Sequence, residues 1–433
     1  MSKKIVVVLF VFIGLLQSCN TTEPPLLPPP DETIKNTITL KIEWTDLYRV
    51  KLSWNRSSID TPGYGMMYDL MRSSQPIGSF TLTGADTSYI DGQTDSLEQG
   101  TSYDHKIVGY SSTRKLSDTS KTTEAQTLSA TSHDIIWQID TLGQAGDVLY
   151  DVWGIDENNV WAVGAVTLPE GRSGVIKWDG DKWNPWPSFA GVKQGIFGFA
   201  ENDIWVVTGG TIGKAAHWNG AGWEEYSFYP PGADTVWGLN AVWGSAPDDV
   251  WAVGDNGTII YWDGVEWRKV NIDPSYNQYK FSDVWGFNEN EIYVAGRIYQ
   301  DEAALIKYNG SNWETVVRNS SFAAFATVWG PRGSLLYFIE FNNYAIINGI
   351  TTQFYLPGRL SGVVKIRGSG SNNVFTVGHF GEMFHFNGLE WKRFSELYTY
   401  PNSRALSGCF ATEKEVFIVG ETPDGAIFIR GVL

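Results

Sequence analysis

Cysteine is nearly absent: Cys19 and Cys409 are the two in a chain of 433 residues. A disulfide framework of the kind that staples small secreted domains is therefore excluded. Histidine is scarce too, with five residues scattered along the chain and none at zinc-ligand spacing beside a cysteine. Neither a glycine-rich phosphate loop nor a dinucleotide fingerprint occurs, and no serine, cysteine or aspartate stands in a recognisable nucleophile setting. No catalytic residue, metal ligand or cofactor is expected on these grounds. Basic residues are in deficit, 32 against 48 acidic ones, for a net charge of −16. A surface of that sign repels phosphate backbones, so nucleic acid is not an expected partner. Long apolar runs are missing apart from Ile5 to Leu16, which is too short for a spanning helix.

That run follows Lys3 and Lys4 and leads into Leu16-Gln17-Ser18-Cys19, the layout of a signal peptide over residues 1–18. A small residue before a cysteine, directly after the apolar run, resembles the lipobox of bacterial lipoproteins. The resemblance implies cleavage before Cys19, acylation of Cys19, and a membrane partner held through buried acyl chains. Asn20 is not the aspartate that retains members of that family in the inner membrane, so the implied location is the outer membrane of the cell envelope. Residues 19–35 carry Pro24, Pro25, Pro28, Pro29 and Pro30 and read as a semi-extended tether.

Residues 36–128 alternate apolar and polar side chains over short stretches, as in Val50-Lys51-Leu52-Ser53-Trp54 and Tyr103 to Val108. This pattern predicts a sandwich of two sheets. The segment resembles fibronectin type III domains: Trp54 matches their buried Trp, and Leu97, Gly100, Thr101 and Tyr103 match the turn that sets their corner Tyr. The resemblance implies an immunoglobulin-like fold acting as a spacer.

From residue 133 to 433 the wording changes to a repeated phrase. Val152-Trp153-Gly154 is followed by Val160-Trp161-Ala162-Val163-Gly164, and Val242-Trp243-Gly244 by Val250-Trp251-Ala252-Val253-Gly254. The opening residue recurs at Ile196, Val284, Val328, Ile366 and Gly408, with 38 to 46 residues between successive copies. A period near forty built from short apolar runs predicts a β-propeller, here of seven blades with four antiparallel strands each. An Asn or Asp before Gly, as in Trp178-Asp179-Gly180 and Trp218-Asn219-Gly220, predicts a tight hairpin between the third and fourth strands. The fifth copy departs most, with Glu340 where the others usually carry Gly. The seventh ends at Leu433 before a fourth strand, and Ile135 to Ile139 supplies the missing wording upstream. The whole chain is thus expected to be all-β: a fibronectin type III-like sandwich, then a seven-bladed propeller closed by an N-terminal strand. Val250 to Val253, with the Gly-Thr-Ile, aromatic-Asp-Gly and Trp that follow, makes residues 147–433 resemble tectonin and WD-like propellers, several of them lectins. No sugar site is carried over from that family.

Loops between the first and second strands are short, uniform and acidic, as at Asp156-Glu157, Asp248-Asp249 and Glu413 to Glu415, and read as solubilising turns. Those on the opposite rim vary in length and carry rings and guanidinium groups: Tyr229, Tyr276, Tyr279, Tyr299, Tyr398, Tyr400, Arg172, Arg297, Arg359 and Arg404. These ten are the candidate ligand contacts, for a glycan or an envelope protein partner, in a non-catalytic binding or scaffolding module. The alternative is a carbohydrate-active enzyme, glycosidase-like or glycosyltransferase-like, with its site at the channel mouth. His217 and His385 share a repeat position with Lys177, Tyr261 and Lys307, expected to face solvent. Arg367, replacing the repeat's Trp, is expected to pair with a neighbouring carboxylate, and Cys409 to be a core residue.

Overall fold

The computed structural model describes residues 34–58, 60, 66–81, 86–111, 116–228, 235–298, 301–320, 326–331, 335–340, 343–347, 350–397 and 405–433. The expected signal peptide, Cys19 and the proline-rich stretch to residue 33 lie outside the described residues. Two compact units emerge, one from residues up to 40 with 54–87 and 104–123, the other from 41–53, 88–103 and 124–433. In the first, Met67–Arg72 lies between Gln75–Thr81 and Ser102–Ser111, both antiparallel to it. Trp54 is buried there, edge-on to Phe80 at 5.3 Å. The buried carboxylate of Asp118 accepts a hydrogen bond from the Thr37 amide at 2.9 Å.

Among the described residues of the second unit are seven four-stranded antiparallel sheets, here sheets I to VII. Sheets I to VI span 148–185, 193–227, 239–269, 280–320, 327–353 and 363–393 in unbroken chain order. Sheet VII takes three strands from 405–432 and its fourth from Ile136–Leu142, which pairs along its whole length with Gly425–Val432. The eight-residue offset within the repeated phrase is the hairpin between strands one and two: Val152 faces Ala162 and Trp153 faces Trp161. Each first strand packs against the first strand of the next sheet, and that of sheet VII returns to that of sheet I. The first strands therefore form a ring around an axis.

The rings of strands two to four fill the wedges between neighbouring sheets. Trp178 and Trp183 of sheet I meet Phe428 of sheet VII at 5.4 and 5.2 Å, and Trp205 of sheet II meets Trp262 and Trp267 of sheet III at 5.3 Å each. Edge and tilted contacts of this kind add to the burial of the rings themselves. At the hairpins, positive φ falls on the glycine alone (Gly180 at 100°, Gly220 at 88°), not on the residue before it. Asp179 and Asn219 instead turn their side-chain oxygens onto the next two free amides, at 3.0 to 3.1 Å. The glycine that closes the phrase has a different cause. A Cβ at Gly164, Gly254, Gly378 or Gly420 would collide with a backbone carbonyl at or just before the start of the sheet's own first strand. Sheet V has a first strand of only three residues, Thr327–Trp329, which is where Glu340 replaces that glycine.

Candidate functional site

Alternate residues of a strand share a face, so three positions of each first strand look toward the axis and build three layers. The first is Asp151, Gly195, Ala241, Asp283, Thr327, Lys365 and Gly408. Two residues on come Trp153, Phe197, Trp243, Trp285, Trp329, Arg367 and Phe410, and two further Ile155, Phe199, Ser245, Phe287, Pro331, Ser369 and Thr412. In sheet VII the register runs one residue later than the repeated phrase suggests, which puts Phe410 rather than Cys409 at the Trp153 position.

The first layer is an ionic floor. Asp283 is buried and takes both guanidinium nitrogens of Arg367, at 2.7 and 3.0 Å, while Lys365 reaches Asp283 at 3.3 Å and Asp151 at 3.6 Å. Both aspartates also serve the next sheet: Asp283 accepts from the Val328 amide at 3.2 Å and the Thr327 hydroxyl at 2.6 Å, and Asp151 from the Ile196 amide at 3.4 Å. Sheets I, IV and VI are thereby tied across the axis. Burial alone would raise the Asp283 carboxyl, but Arg367 and Lys365 outweigh it and hold it below the usual carboxylate range. Burial raises Asp151 against the pull of the same two cations. Arg367 thus has the carboxylate partner expected from the sequence. Cys409 is fully buried and its thiol is pushed up to about 12 by burial, an inert core group.

The second layer is aromatic. Ring centroids step from Trp153 to Phe197 (4.6 Å), to Trp243 (6.3 Å), to Trp285 (6.1 Å) and to Trp329 (6.1 Å), and Trp153 also meets Trp285 at 6.3 Å. The Arg367 guanidinium lies over the Trp285 ring at 5.3 Å. The second layer, with Phe410 closing it 5.4 Å from Trp153, and Phe199, Ser245, Phe287, Pro331 and Ser369 of the third line a cavity of about 340 Å³ that opens among the short turns joining strands one and two. Several of its polar groups are already committed. Trp153 and Trp285 donate their indole N–H to the carbonyls of Gly198 and Gly330, at 3.0 and 2.8 Å. Ser245 donates to Asp249 at 2.5 Å, and Ser369 accepts from Asn373 at 2.8 Å. Asp151 and Asp283 do not line the cavity. A carboxylate pair facing one another across a solvent-filled mouth, as glycoside hydrolysis uses, is not what this floor presents.

The candidate contacts on the opposite rim fare differently. Tyr229, Tyr299, Tyr398, Tyr400 and Arg404 lie outside the described residues. Tyr276 and Tyr279 were expected on the surface, and this is corrected: both are buried in the core of sheets III and IV. They bury because the turn Pro274–Tyr276 folds their rings inward against Phe281, with Arg318 lying over them at 5.2 and 5.9 Å. Arg172 is exposed and pairs with Asp147 at 3.3 Å. Arg359 is half-buried, donating to Asn343 Oδ1 at 2.9 Å and to the carbonyls of Ser361 (2.8 Å) and Glu340 (3.1 Å). Arg297 is half-buried on the second strand of sheet IV. The axial cavity, on the other end, is the feature that sequence reasoning missed; the period-two phase of Trp153, Trp243, Trp285 and Trp329 is the signal that points to it.

The shared histidine position is also corrected. His217 stacks flat on Trp205 at 4.3 Å and bonds Asp203 at 2.7 Å; His385 is fully buried, stacked on Phe375 at 4.3 Å. The cross-strand aromatic draws the side chain in, and Lys177 lies over Trp161 in the same way. Asn373 fixes the His385 tautomer. Its amide nitrogen donates to Ser369 and to the Thr412 carbonyl, so its oxygen faces His385 Nε2 at 2.9 Å and accepts from it. His385 Nδ1 is then the acceptor toward His133 Nδ1 at 3.0 Å. Burial lowers the His385 pKa to about 3, with His133 and Lys392 adding to it, and burial also lowers His133. The folded state holds these imidazoles neutral while the unfolded chain protonates them below about pH 6.5. Stability contributed by the pair is full above that pH and is lost as pH falls toward 3. Urea midpoints measured from pH 7.5 to 4.5 are expected to fall more steeply for the native chain than for His385→Gln. Parallel profiles would show that the pair does not set the acid limb.

Among the described residues no cluster of three or more His, Cys, Asp or Glu is placed to hold a metal ion. No helix among them is long and apolar enough to cross a membrane.

The ring of successive sheets defines a β-propeller. Two solved structures share the fold at low identity. One, described as YCF48 bound to D1 peptide, has a TM-score of 0.52 and 16% identity, covering 70% of this chain and 100% of that one. The other, the WD40 β-propeller domain of Doa1, has a TM-score of 0.50 and 12% identity, covering 68% and 96%. No protein-family profile and no curated protein sequence matches the chain.

Proposed function

We propose that the chain is a lipid-anchored envelope protein in which a fibronectin type III-like spacer carries a seven-bladed propeller, and that the propeller is a non-catalytic module holding a segment of a protein partner in its axial cavity. The observation that carries the reading is the cavity itself: eight aromatic rings line it, and the indoles of Trp153 and Trp285, the Ser245 hydroxyl and the Arg367 guanidinium already have partners. Such a wall suits an apolar side chain, because a ligand that needs many new hydrogen bonds finds few groups left to make them. YCF48 is described with a bound peptide, which is in keeping with a propeller in that role. The spacer reading is supported by buried Trp54 and by Tyr103, whose hydroxyl accepts from the Glu98 amide at 2.9 Å as a corner tyrosine would. The lipobox-like Leu16 to Cys19, the tether and Asn20 after the cysteine support the envelope and outer-membrane assignment.

A second reading, a glycan ligand, is favoured by the tryptophan rings alone, since sugars stack on such faces. Peptide and glycan arrays probed with the full chain and with Phe287→Ala separate the two. Phe287 is half-exposed in the third layer, so the substitution is expected to leave the melting temperature within a few degrees. Peptide binding that weakens about tenfold or more in the variant is the expected result. Glycan binding lost in the same variant would replace the partner reading, and binding untouched by the substitution would move the site elsewhere.

A further inference from the structure

We infer that the segment received by the axial cavity is cationic: an apolar side chain enters along the axis while lysine or arginine residues on either side of it meet the turns around the mouth. The inference rests on the cavity being the binding site. Each first strand runs from the third layer straight into the turn that joins it to strand two, so these turns ring the opening. Their side chains are acidic in five of the sheets: Asp156 and Glu157 in sheet I, Glu201 in II, Asp248 in III, Glu289 in IV and Glu413 in VII. Within the described residues of these turns Lys414 is the lone base. Asp248, Glu289 and Glu413 are exposed, and Glu201 keeps a side chain 59% exposed while pairing with Lys177.

Two independent features therefore coincide. The inner mouth is uncharged and largely apolar, lined by Phe199, Phe287 and Pro331 beside Ser245 and Ser369, with Ile155 41% exposed at the same level of sheet I. The outer collar is acidic apart from Lys414. Deeper cation entry is disfavoured, because Arg367 already occupies the face of Trp285 at the bottom. An acidic partner segment would meet like charge at the collar, and a neutral one would gain only from the cavity. Opposed charge around an apolar anchor also speeds encounter and sets orientation.

The test uses the full chain and two fluorescently labelled nonapeptides, each with a central leucine, one flanked by lysines and the other by glutamates. Anisotropy at low salt is expected to show the lysine peptide bound at least about tenfold more tightly, with the difference shrinking at ~0.5 M salt. A triple variant, Asp248→Asn, Glu289→Gln and Glu413→Gln, is expected to bring the two peptides within about twofold of each other at an unchanged melting temperature. Phe287→Ala is expected to weaken binding of the lysine peptide in either background. Equal binding of the two peptides by the native chain, still sensitive to Phe287→Ala, would overturn the charge preference and leave the site standing. Binding of the lysine peptide that ignores Phe287→Ala, or no binding of either peptide, would overturn both.

Discussion

Replacing Asp283 with alanine is expected to destabilise the chain by about 3–5 kcal/mol, because it leaves Arg367 and Lys365 buried without their main counter-charge. The loss exceeds that of an ordinary salt bridge for two reasons. Both partners are under a tenth exposed, so water cannot take over the solvation of the guanidinium. Asp283 also accepts from the Thr327 hydroxyl and the Val328 amide, so the substitution unpins sheet IV from sheet V. In thermal melts the drop should be on the order of 10 °C. The double variant Asp283→Leu with Arg367→Met removes both charges together and is expected to recover much of the loss. A melting temperature within about 2 °C of native for Asp283→Ala would show that the floor is dispensable. The sign with pH follows from the depressed carboxyl: its contribution is full above the unfolded value near pH 4 and is lost as pH falls below it.

A chain shortened to begin at Gln144 is expected not to fold as a monomer. The strand Ile136–Leu142 is the fourth strand of sheet VII, in register with all of Ala426 to Val432, and Trp137 packs edge-on to Phe394 of sheet VI at 5.1 Å. Without it, Gly425–Val432 becomes an open edge over the buried side chains of Ile427 and Ile429, a template for association with other chains. Restoring residues 133–142 after Leu433 through a flexible linker should return a monomeric, cooperatively melting protein, since the strand needs to be present but not to come first. Size-exclusion chromatography with thermal melting decides it. A monomeric, stable short chain would show that sheet VII closes with three strands, and a failed permutant would show that the preceding residues matter beyond this pairing.

The repeat was legible because each copy must satisfy the same local constraints: a period-two apolar pattern, an Asx-Gly hairpin, and a glycine where two strands approach too closely for a Cβ. Val152 with Val160, and Val242 with Val250, give the hairpin register without any tertiary information. Ile135 to Ile139 could be matched to the incomplete last copy for the same reason. What lay beyond the sequence was the direction in which shared positions face. His217 and His385 read as solvent-side because their neighbours in other copies include lysine, yet the ring on the adjacent strand covers all of them. Tyr276 and Tyr279 sit in a segment with loop composition, and only the turn at Pro274–Tyr276 sends their rings inward.

The same division holds for the site. Local sequence determined that Trp153, Trp243, Trp285 and Trp329 are equivalent and that Arg367 breaks their series, but it matched Cys409 to them where the strand register puts Phe410. It could not decide that these positions converge, because they lie tens of residues apart and meet only when the sheets close into a ring. Asp151, Asp283, Lys365 and Arg367 likewise carry no mark of one another in sequence, being up to 216 residues apart. Periodic side-chain patterning, a short-range property, determined the strands and their repeats. Ring closure, a long-range one, decided which residues share the axis, where the ionic floor and aromatic cavity stand, and which end of the propeller they open toward.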